Sequence, residues 1–146
     1  MSVENILWEK FNITGRDFKN AGSVSIKIKE ILKQVGINSS IVRRVAIATY
    51  EAEMNVVMYA NKGILNFSLS PEKIEINVED EGPGIEDIEL AMQEGYSTAT
   101  EEMREMGFGA GMGLPNIKKN ADEFEISSEV GKGTKVGIII NLKKET

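Results

Sequence analysis

The sequence predicts an α+β fold, a two-layer α/β sandwich in which helices cover one face of a mostly antiparallel sheet. Strand-like segments come in pairs separated by short turns, which is typical of antiparallel hairpins. Helices do not alternate regularly with strands, so the βαβ pattern of a parallel sheet is absent. With 146 residues, 41% of them hydrophobic, the chain has the size and apolar content of one domain over residues 1–146.

The first half of the chain contains one predicted strand and two predicted helices. The strand covers residues 6–13. A helix is predicted over 16–35, where apolar residues recur at helical spacing until Gly36 ends the pattern. A second helix is predicted from Asn38, an N-cap candidate, to Tyr59.

The second half predicts two hairpins. Residues 64–70 and 73–79 alternate between apolar and polar side chains around a Ser-Pro-Glu turn. The remaining predicted elements are a short helix over 85–92, a long glycine-rich loop over 93–113, a helix over 114–122 and a closing hairpin of strands 123–129 and 135–142.

The composition excludes several kinds of chemistry. The chain has no cysteine and no histidine, so disulfides, thiolate zinc sites, serine-histidine triads and phosphohistidine formation on this chain are excluded. A net charge of −6 without a Lys/Arg run argues against nucleic-acid binding. We expect a soluble, cytoplasmic protein, because the start does not resemble a signal peptide and no apolar run approaches the ~18 residues of a membrane span.

The second predicted helix carries Glu51 and Asn55 four residues apart, which places both side chains on one helix face beside the apolar stripe. An amide oxygen can complete the octahedral shell of a hard cation, and a carboxylate can accept a proton from water or a hydroxyl. Taken alone, such a pair is more often a solvated glutamate and a helix-capping asparagine.

Asp80 comes directly after the predicted strand 73–79 and is followed by Gly82-Pro83-Gly84. A carboxylate at a strand end can accept a hydrogen bond from an exocyclic amine, and glycines allow the backbone to approach a flat ring. An ordinary tight turn has the same composition.

Alternate glycines, among them Gly109, Gly111 and Gly113, lead into the helix that begins near Leu114. Such a segment leaves backbone N–H groups free to contact anionic oxygens, and the helix N-terminus adds its dipole. The spacing matches neither the P-loop nor the dinucleotide-binding fingerprint, and a flexible linker is the alternative. In the last pattern, Thr134 follows the Gly-Lys-Gly turn of the closing hairpin.

The order and spacing of these four patterns resemble the ATP-binding domain shared by gyrase, the heat-shock chaperone, histidine kinases and mismatch-repair ATPases. The resemblance covers about residues 41–142 and implies the Bergerat-type ATP-binding fold. Within this superfamily the chain looks like the anti-sigma factor serine/threonine kinases of bacterial partner-switching pathways. The segments 55–63, 95–98 and 109–115 look most like the stressosome switch-kinase branch.

The resemblance implies a role for each motif residue. Glu51 would orient or deprotonate the attacking hydroxyl, Asn55 would hold Mg²⁺ on the ATP phosphates, and Asp80 would accept the exocyclic amino group of adenine. The other ATP-binding residues that it implies are Gly82 and Gly84 beside the base, Thr134 near the adenine, and Gly109, Gly111, Gly113 and Leu114 in and after a lid over the triphosphate.

Histidine kinases commonly have a basic residue where this chain has Met58. Lys62 is a candidate substitute for that phosphate contact. Arg104 and Lys118, in and after the predicted lid, are further candidates to reach the γ-phosphate, and the sequence does not choose between them.

The function that the resemblance implies is an ATP- and Mg²⁺-dependent serine/threonine kinase that acts as an anti-sigma regulatory factor. Its substrate would be an anti-sigma antagonist of the STAS type, docked on the helices near residues 16–58. A sigma factor and a downstream phosphatase are further candidate partners, and homodimer formation is left open. The alternatives are a non-catalytic, nucleotide-gated binding module that sequesters a sigma factor or regulator, and a plain ATPase or part of a multi-chain kinase.

Overall fold

The computed structural model of the chain describes residues 7–94 and 113–142. Five strands form one sheet in the spatial order β1-β2-β3-β5-β4, and every neighbouring pair is antiparallel. This arrangement confirms the predicted α+β class. The strands are β1 (Leu7–Thr14), β2 (Lys62–Leu69), β3 (Lys73–Glu81), β4 (Glu123–Glu129) and β5 (Gly133–Asn141).

The helices are α1 (Ser23–Val35), α2 (Ser39–Tyr59), α3 (Ile88–Ala91) and α4 (Gly113–Asn120). The prediction of one helix over 16–35 was wrong at its start. Gly22 adopts a left-handed conformation (φ +94°) that separates α1 from a 3₁₀ helix at Phe18–Asn20. The predicted ends at Gly36 and Asn38 are confirmed, because Gly36 is a left-handed C-cap and the Asn38 side chain accepts a hydrogen bond from the Ser40 amide at 2.9 Å.

The core lies between the helices and one face of the sheet. Helix α2 is central, since it packs against α1, α4 and four of the five strands. The fully buried side chains of the three central strands occupy every second position along each strand, as expected for a sheet with one buried face. They are Leu65, Phe67, Leu69, Ile74, Ile76, Ile138 and Ile140.

Three strands extend two residues beyond their predicted bounds at one end, and in β2 this is the start, at Lys62. Strand β3 continues to Glu81, and β5 already begins at Gly133, so Asp80 and Thr134 lie within strands rather than in loops. The pairing continues because Gly63 of β2 lies opposite Asp80. The sheet, instead of a flexible turn, therefore fixes the position of the Asp80 carboxylate.

Candidate functional site

Helix α2 presents Glu51 and Asn55 toward the start of α4. The Glu51 Oε2 atom accepts a hydrogen bond from Asn116 Nδ2 at 2.7 Å. The Asn55 Oδ1 atom lies beside Gly113, the first residue of α4, where an added Cβ would be 3.5 Å away. Within the described residues the Asn55 amide has no side-chain hydrogen bond. Two predicted site residues thus lie together, and the Asn55 amide oxygen is available to a ligand.

Helix α4 is held against α2 at both ends. At its C-terminal end, Arg44 of α2 donates to the Asn120 carbonyl at 3.0 Å and to Asp122 at 3.1 Å. Asp122 in turn accepts from the Asn141 amide at 2.7 Å, which ties this corner to β5. The predicted contact residue Leu114 is 8% exposed and belongs to the core. Its side chain therefore anchors the start of α4.

The Asp80 carboxylate is half-buried at the end of β3. Its Oδ1 atom accepts a hydrogen bond from the Thr134 amide at 3.1 Å. Burial raises the pKa of Asp80 above its ordinary 3.8, and the Thr134 hydrogen bond opposes this shift. Within the described part of the chain, the second carboxylate oxygen has no partner. Asp80 can therefore accept a hydrogen bond from a ligand amine.

The segment after Asp80 is fastened to the β4–β5 hairpin. Gly84 has φ +77°, and an added Cβ would collide with the Glu129 carbonyl oxygen. The Pro83 carbonyl accepts from the Gly131 amide at 2.8 Å, and the Ile85 amide donates to Ser128 Oγ at 2.7 Å. The packing of Gly84 against the β4–β5 hairpin explains why this position requires glycine. The sequence alone suggests another reason, which is close approach of the backbone to the flat ring of a ligand.

Thr134 contacts Asp80 through its backbone rather than its hydroxyl. The Thr134 hydroxyl lies 2.9 Å from Ser128 Oγ, which also donates to the Gly133 carbonyl at 3.0 Å. Gly133 itself passes so close to the Asp80 backbone that an added Cβ would collide with its carbonyl oxygen. The two glycine-containing motifs identified in the sequence, residues 80–84 and 131–134, therefore form one polar unit around Asp80.

Comparison with known families gives this arrangement a context. The family model described as "Histidine kinase-like ATPase domain" matches residues 18–140. The chain belongs to this family. The resemblance inferred from the four motifs is thereby confirmed.

Two relatives of this histidine kinase-like ATPase domain carry functional names. The "Serine/threonine-protein kinase RsbT" of Bacillus subtilis (strain 168) is 32% identical over 115 residues, which are 76% of this chain and 80% of the relative. The "Anti-sigma F factor" of Thermoanaerobacter sp. (strain X514) is 46% identical over 94 residues, which are 61% of this chain and 62% of the relative. The chain is therefore similar both to a named kinase and to a named anti-sigma factor.

A solved structure supports the fold. The crystal structure of the RsbU and RsbW domains of Rv1364c from Mycobacterium tuberculosis superposes with a TM-score of 0.60 over 94% of this chain and 33% of that chain, at 17% identity. None of the helices in residues 7–94 and 113–142 is long and apolar enough to cross a membrane.

The remaining predicted site residues of the ATPase domain lie in different surroundings. Gly82 lies against Ala60 and near Asp80 Oδ1. Lys62 forms an exposed ion pair with Glu81 at 3.1 Å, and Lys118 is exposed on α4. Met58 is buried. Three predicted residues, Gly109, Gly111 and Arg104, lie outside the described residues, as does most of the predicted lid.

The residues described allow a test of whether Mg²⁺ fits. No group of three or more acidic side chains is placed to hold a metal within the described ranges. Mg²⁺ usually keeps several waters and is bound by one or two protein oxygens together with substrate phosphates. The Asn55 amide oxygen lies beside the first residue of α4, has no partner among the residues described, and fits the role of such a protein ligand.

Sequence reasoning missed Asn116 and Glu53. Asn116 is an isolated polar residue in α4, and no pattern in a single sequence links it to Glu51. The buried Glu53 carboxylate accepts three amides at the start of α1, from Gly22 (3.0 Å), Val24 (3.2 Å) and Ser25 (3.0 Å). The available signal in the sequence was that Glu53 is an acidic residue among the apolar positions of α2. A carboxylate in such a position can accept amide hydrogen bonds at the N-terminus of a neighbouring helix.

Proposed function

We propose that this chain is an ATP-dependent serine/threonine protein kinase that acts as a cytoplasmic anti-sigma regulatory factor. Its substrate would be a STAS-type anti-sigma antagonist. The observation that carries the proposal is the Asn116–Glu51 hydrogen bond, which holds a carboxylate on the same helix face as the Asn55 amide. That amide has no side-chain hydrogen bond within residues 7–94 and 113–142. The 32% identical relative named as a serine/threonine-protein kinase supports the same reading.

In this proposal Asp80 selects the adenine. Its free carboxylate oxygen accepts the exocyclic amino group of the base, while the other oxygen remains fixed by the Thr134 amide. Guanine presents a carbonyl oxygen at that position, so it would place an acceptor against an acceptor. Selection of adenine over guanine then follows from the repulsion between two unpaired oxygens.

Asn55 is the protein ligand that would hold Mg²⁺ against the phosphates. When bound, Mg²⁺ supplies positive charge that offsets the negative charge of the triphosphate during transfer. The role of Asn55 is to position the nucleotide, and the start of α4 beside it offers backbone N–H groups to the phosphate oxygens.

Glu51 is the proposed proton acceptor. The substrate hydroxyl oxygen forms a bond to the γ-phosphorus as the bond from that phosphorus to the ADP oxygen breaks, and the hydroxyl proton passes to Glu51. Because Asn116 occupies only Oε2, the Oε1 atom of Glu51 is available for that proton. The hydrogen bond also fixes the carboxylate orientation, which favours a productive geometry.

A nucleotide-gated binding module is the second candidate. It is supported by the 46% identity to a protein named Anti-sigma F factor, a name that mentions no catalytic activity. In that case the chain would bind ATP and a sigma factor or regulator without transferring phosphate.

Phosphate transfer distinguishes the two candidates. The purified chain is incubated with γ-labelled ATP and Mg²⁺ in soluble extract of the source cells, beside Glu51→Gln and the matched control Glu30→Gln on the exposed side of α1. We expect acid-stable label on a small protein with wild type and control, and at least about a hundredfold less label with Glu51→Gln. ATP affinity measured by calorimetry should change less than about threefold.

Two results would contradict the kinase proposal. Equal labelling with Glu51→Gln would remove Glu51 from the chemistry. Absence of label from every variant, with ATP still bound, would favour the binding module.

A further inference from the structure

A groove of about 470 Å³ opens between α1 and α2, and none of the proposed ATP-site residues lines it. Its apolar lining comes from Ile37 in the connection between the helices and from Val42, Ala46 and Ile47 of α2. Val42 is buried, while the other three are partly exposed. The groove therefore offers an apolar floor that is open to solvent.

The rim of the groove is basic. Lys29 and Lys33 of α1 and Arg43 of α2 line it, and all three are exposed. None of them is in an ion pair with another residue that the structure describes. These three charges are thus available to a ligand.

The basic rim contrasts with the charge of the whole protein. Residues 23–47 contain five basic residues and one acidic residue, whereas the chain as a whole has 17 basic and 23 acidic residues. Positive charge is therefore concentrated on the helical hairpin that forms the groove. Such a local field attracts acidic ligands despite the net charge of −6.

The apolar surface continues beyond the groove on both helices. Ile26 is 57% exposed and precedes Lys29 by one turn of α1, and Tyr50 is 39% exposed and follows Ile47 by about one turn of α2. The apolar strip with its basic edge is long enough to receive a segment of several residues.

We propose that this groove, defined by Lys29, Lys33, Arg43 and the apolar floor, docks an acidic segment of a partner protein. Carboxylates of that segment face the three cations, and its apolar side chains lie on Val42, Ala46 and Ile47. A concave groove with apolar floor and charged rim suits a helix or extended segment laid along it. The proposal does not depend on kinase activity.

The geometry disfavours the other occupants. A second copy packed groove to groove would bring the same cations together, because a twofold interface pairs one surface with itself. A flat lipid surface would not reach the apolar floor, because Ile37, Val42, Ala46 and Ile47 line a recess.

The test uses a defined probe. The isotope-labelled full chain is titrated with a 12-residue capped peptide of glutamate and leucine at helical spacing, and amide signals are followed by NMR. We expect saturable shifts confined to residues 26–50. Lys33→Glu and Arg43→Glu should each weaken peptide binding about fivefold or more, whereas Lys27→Glu, the same charge change on α1 outside the groove, should alter it less than about twofold.

Four outcomes would overturn the proposal. They are absence of saturable shifts at millimolar peptide, equal binding of a matched lysine-leucine peptide, equal weakening by Lys27→Glu, and binding to anionic phospholipid vesicles without binding to the peptide. Shifts of the groove residues that grow with protein concentration in the absence of peptide would instead assign the groove to a second copy. The exposed positions of the three charge-reversal variants keep folding intact, which circular dichroism verifies.

Discussion

Asn116 donates a hydrogen bond of 2.7 Å to Glu51 across 65 residues of sequence. Asn116 lies in the first turn of α4, directly after the glycine-rich region, and Glu51 lies in the second half of α2. The proposed proton acceptor is therefore oriented by the helix that follows the predicted lid. Its geometry depends on how α4 sits against α2.

The first prediction concerns Asn116→Ala. Loss of one hydrogen bond to a charged group should lower the phosphate-transfer rate about tenfold, because the Glu51 carboxylate is no longer oriented. The affinity for ATP should change less than about twofold. Transfer kinetics with ATP calorimetry measure both quantities.

A double-mutant cycle separates this role from a general structural effect. In the Glu51→Gln background, Asn116→Ala should cause no further loss of transfer, since the two residues act as one unit. An additional tenfold loss in that background would show that Asn116 acts independently of Glu51.

The second prediction concerns Glu53→Gln. The buried carboxylate caps the start of α1 through three amides, and a glutamine would turn its own NH₂ donor toward one of them. We expect the free energy of unfolding to fall by about 2–4 kcal/mol. Urea unfolding measures it, and Glu30→Gln on exposed α1 surface is the control with a change below about 0.5 kcal/mol. A loss no larger than that of the control would mean that the cap contributes little.

The third prediction concerns Thr49, whose fully buried hydroxyl has no hydrogen-bond partner among the residues described. Thr49→Val replaces this desolvated hydroxyl with a methyl group and should raise the free energy of unfolding by about 0.5–1 kcal/mol. Thr49→Ser keeps the hydroxyl, removes the methyl group and should lower it by about 1 kcal/mol. Thermal unfolding measures both changes. If Thr49→Val is less stable than wild type, the prediction is contradicted, and the Thr49 hydroxyl is hydrogen-bonded to an internal water.

The fourth prediction concerns Asp80 and pH. Because burial raises the folded-state pKa of Asp80 above 3.8, the folded state holds this proton more tightly than the unfolded state. The associated stability is present below pH 3.8 and is lost as pH rises through the folded-state pKa. Asp80→Asn should therefore be slightly more stable than wild type at about pH 7, with solvent at the half-exposed carboxyl keeping the gain small. The free energies of unfolding of Asp80→Asn and of wild type should approach each other as the pH is lowered.

The same substitution should weaken binding of ATP and ADP alike, about tenfold or more, because a charged acceptor for the adenine amine is lost. Unfolding curves at several pH values test the stability prediction, and nucleotide calorimetry tests the prediction for ATP and ADP affinity. Unchanged nucleotide affinity would remove Asp80 from the adenine contact. Lower stability of Asp80→Asn at neutral pH would contradict the pH argument.

Much of the fold follows from local patterns in the sequence. Alternation placed the hairpin of residues 64–79, and the Gly-Lys-Gly turn at 131–133 placed the closing hairpin. The helix ends at Gly36 and Asn38 were confirmed by capping geometry. The start of α1 was missed because it depends on Glu53, which is 31 residues from Gly22 in sequence. The extent of β3 was missed because Asp80 is a poor strand former, and its pairing opposite Gly63 is a tertiary effect. The single domain over 1–146 stays a prediction.

The site could be predicted from the sequence where its residues belong to motifs with a characteristic spacing. Glu51 and Asn55 share a helix face by periodicity alone, and Asp80 was found through its glycines. Asn116 and Ser128 were not, because each acts through a hydrogen bond to a residue far away in sequence, to Glu51 and to the Ile85 amide. Motif spacing identifies residues that share an element, whereas contacts between elements require the fold.

Helix α2 is buried or partly buried on nearly every side. Of its 21 residues only Ser39, Ser40, Arg43 and Tyr50 are exposed, eleven are buried and the other six are partly buried. A one-residue insertion within α2 would turn everything beyond it by about 100° and exchange the neighbours of Glu51, Glu53 and Asn55. We therefore expect a saturation scan of the chain to find α2 the segment least tolerant of insertions, with substitutions accepted mainly at those four positions.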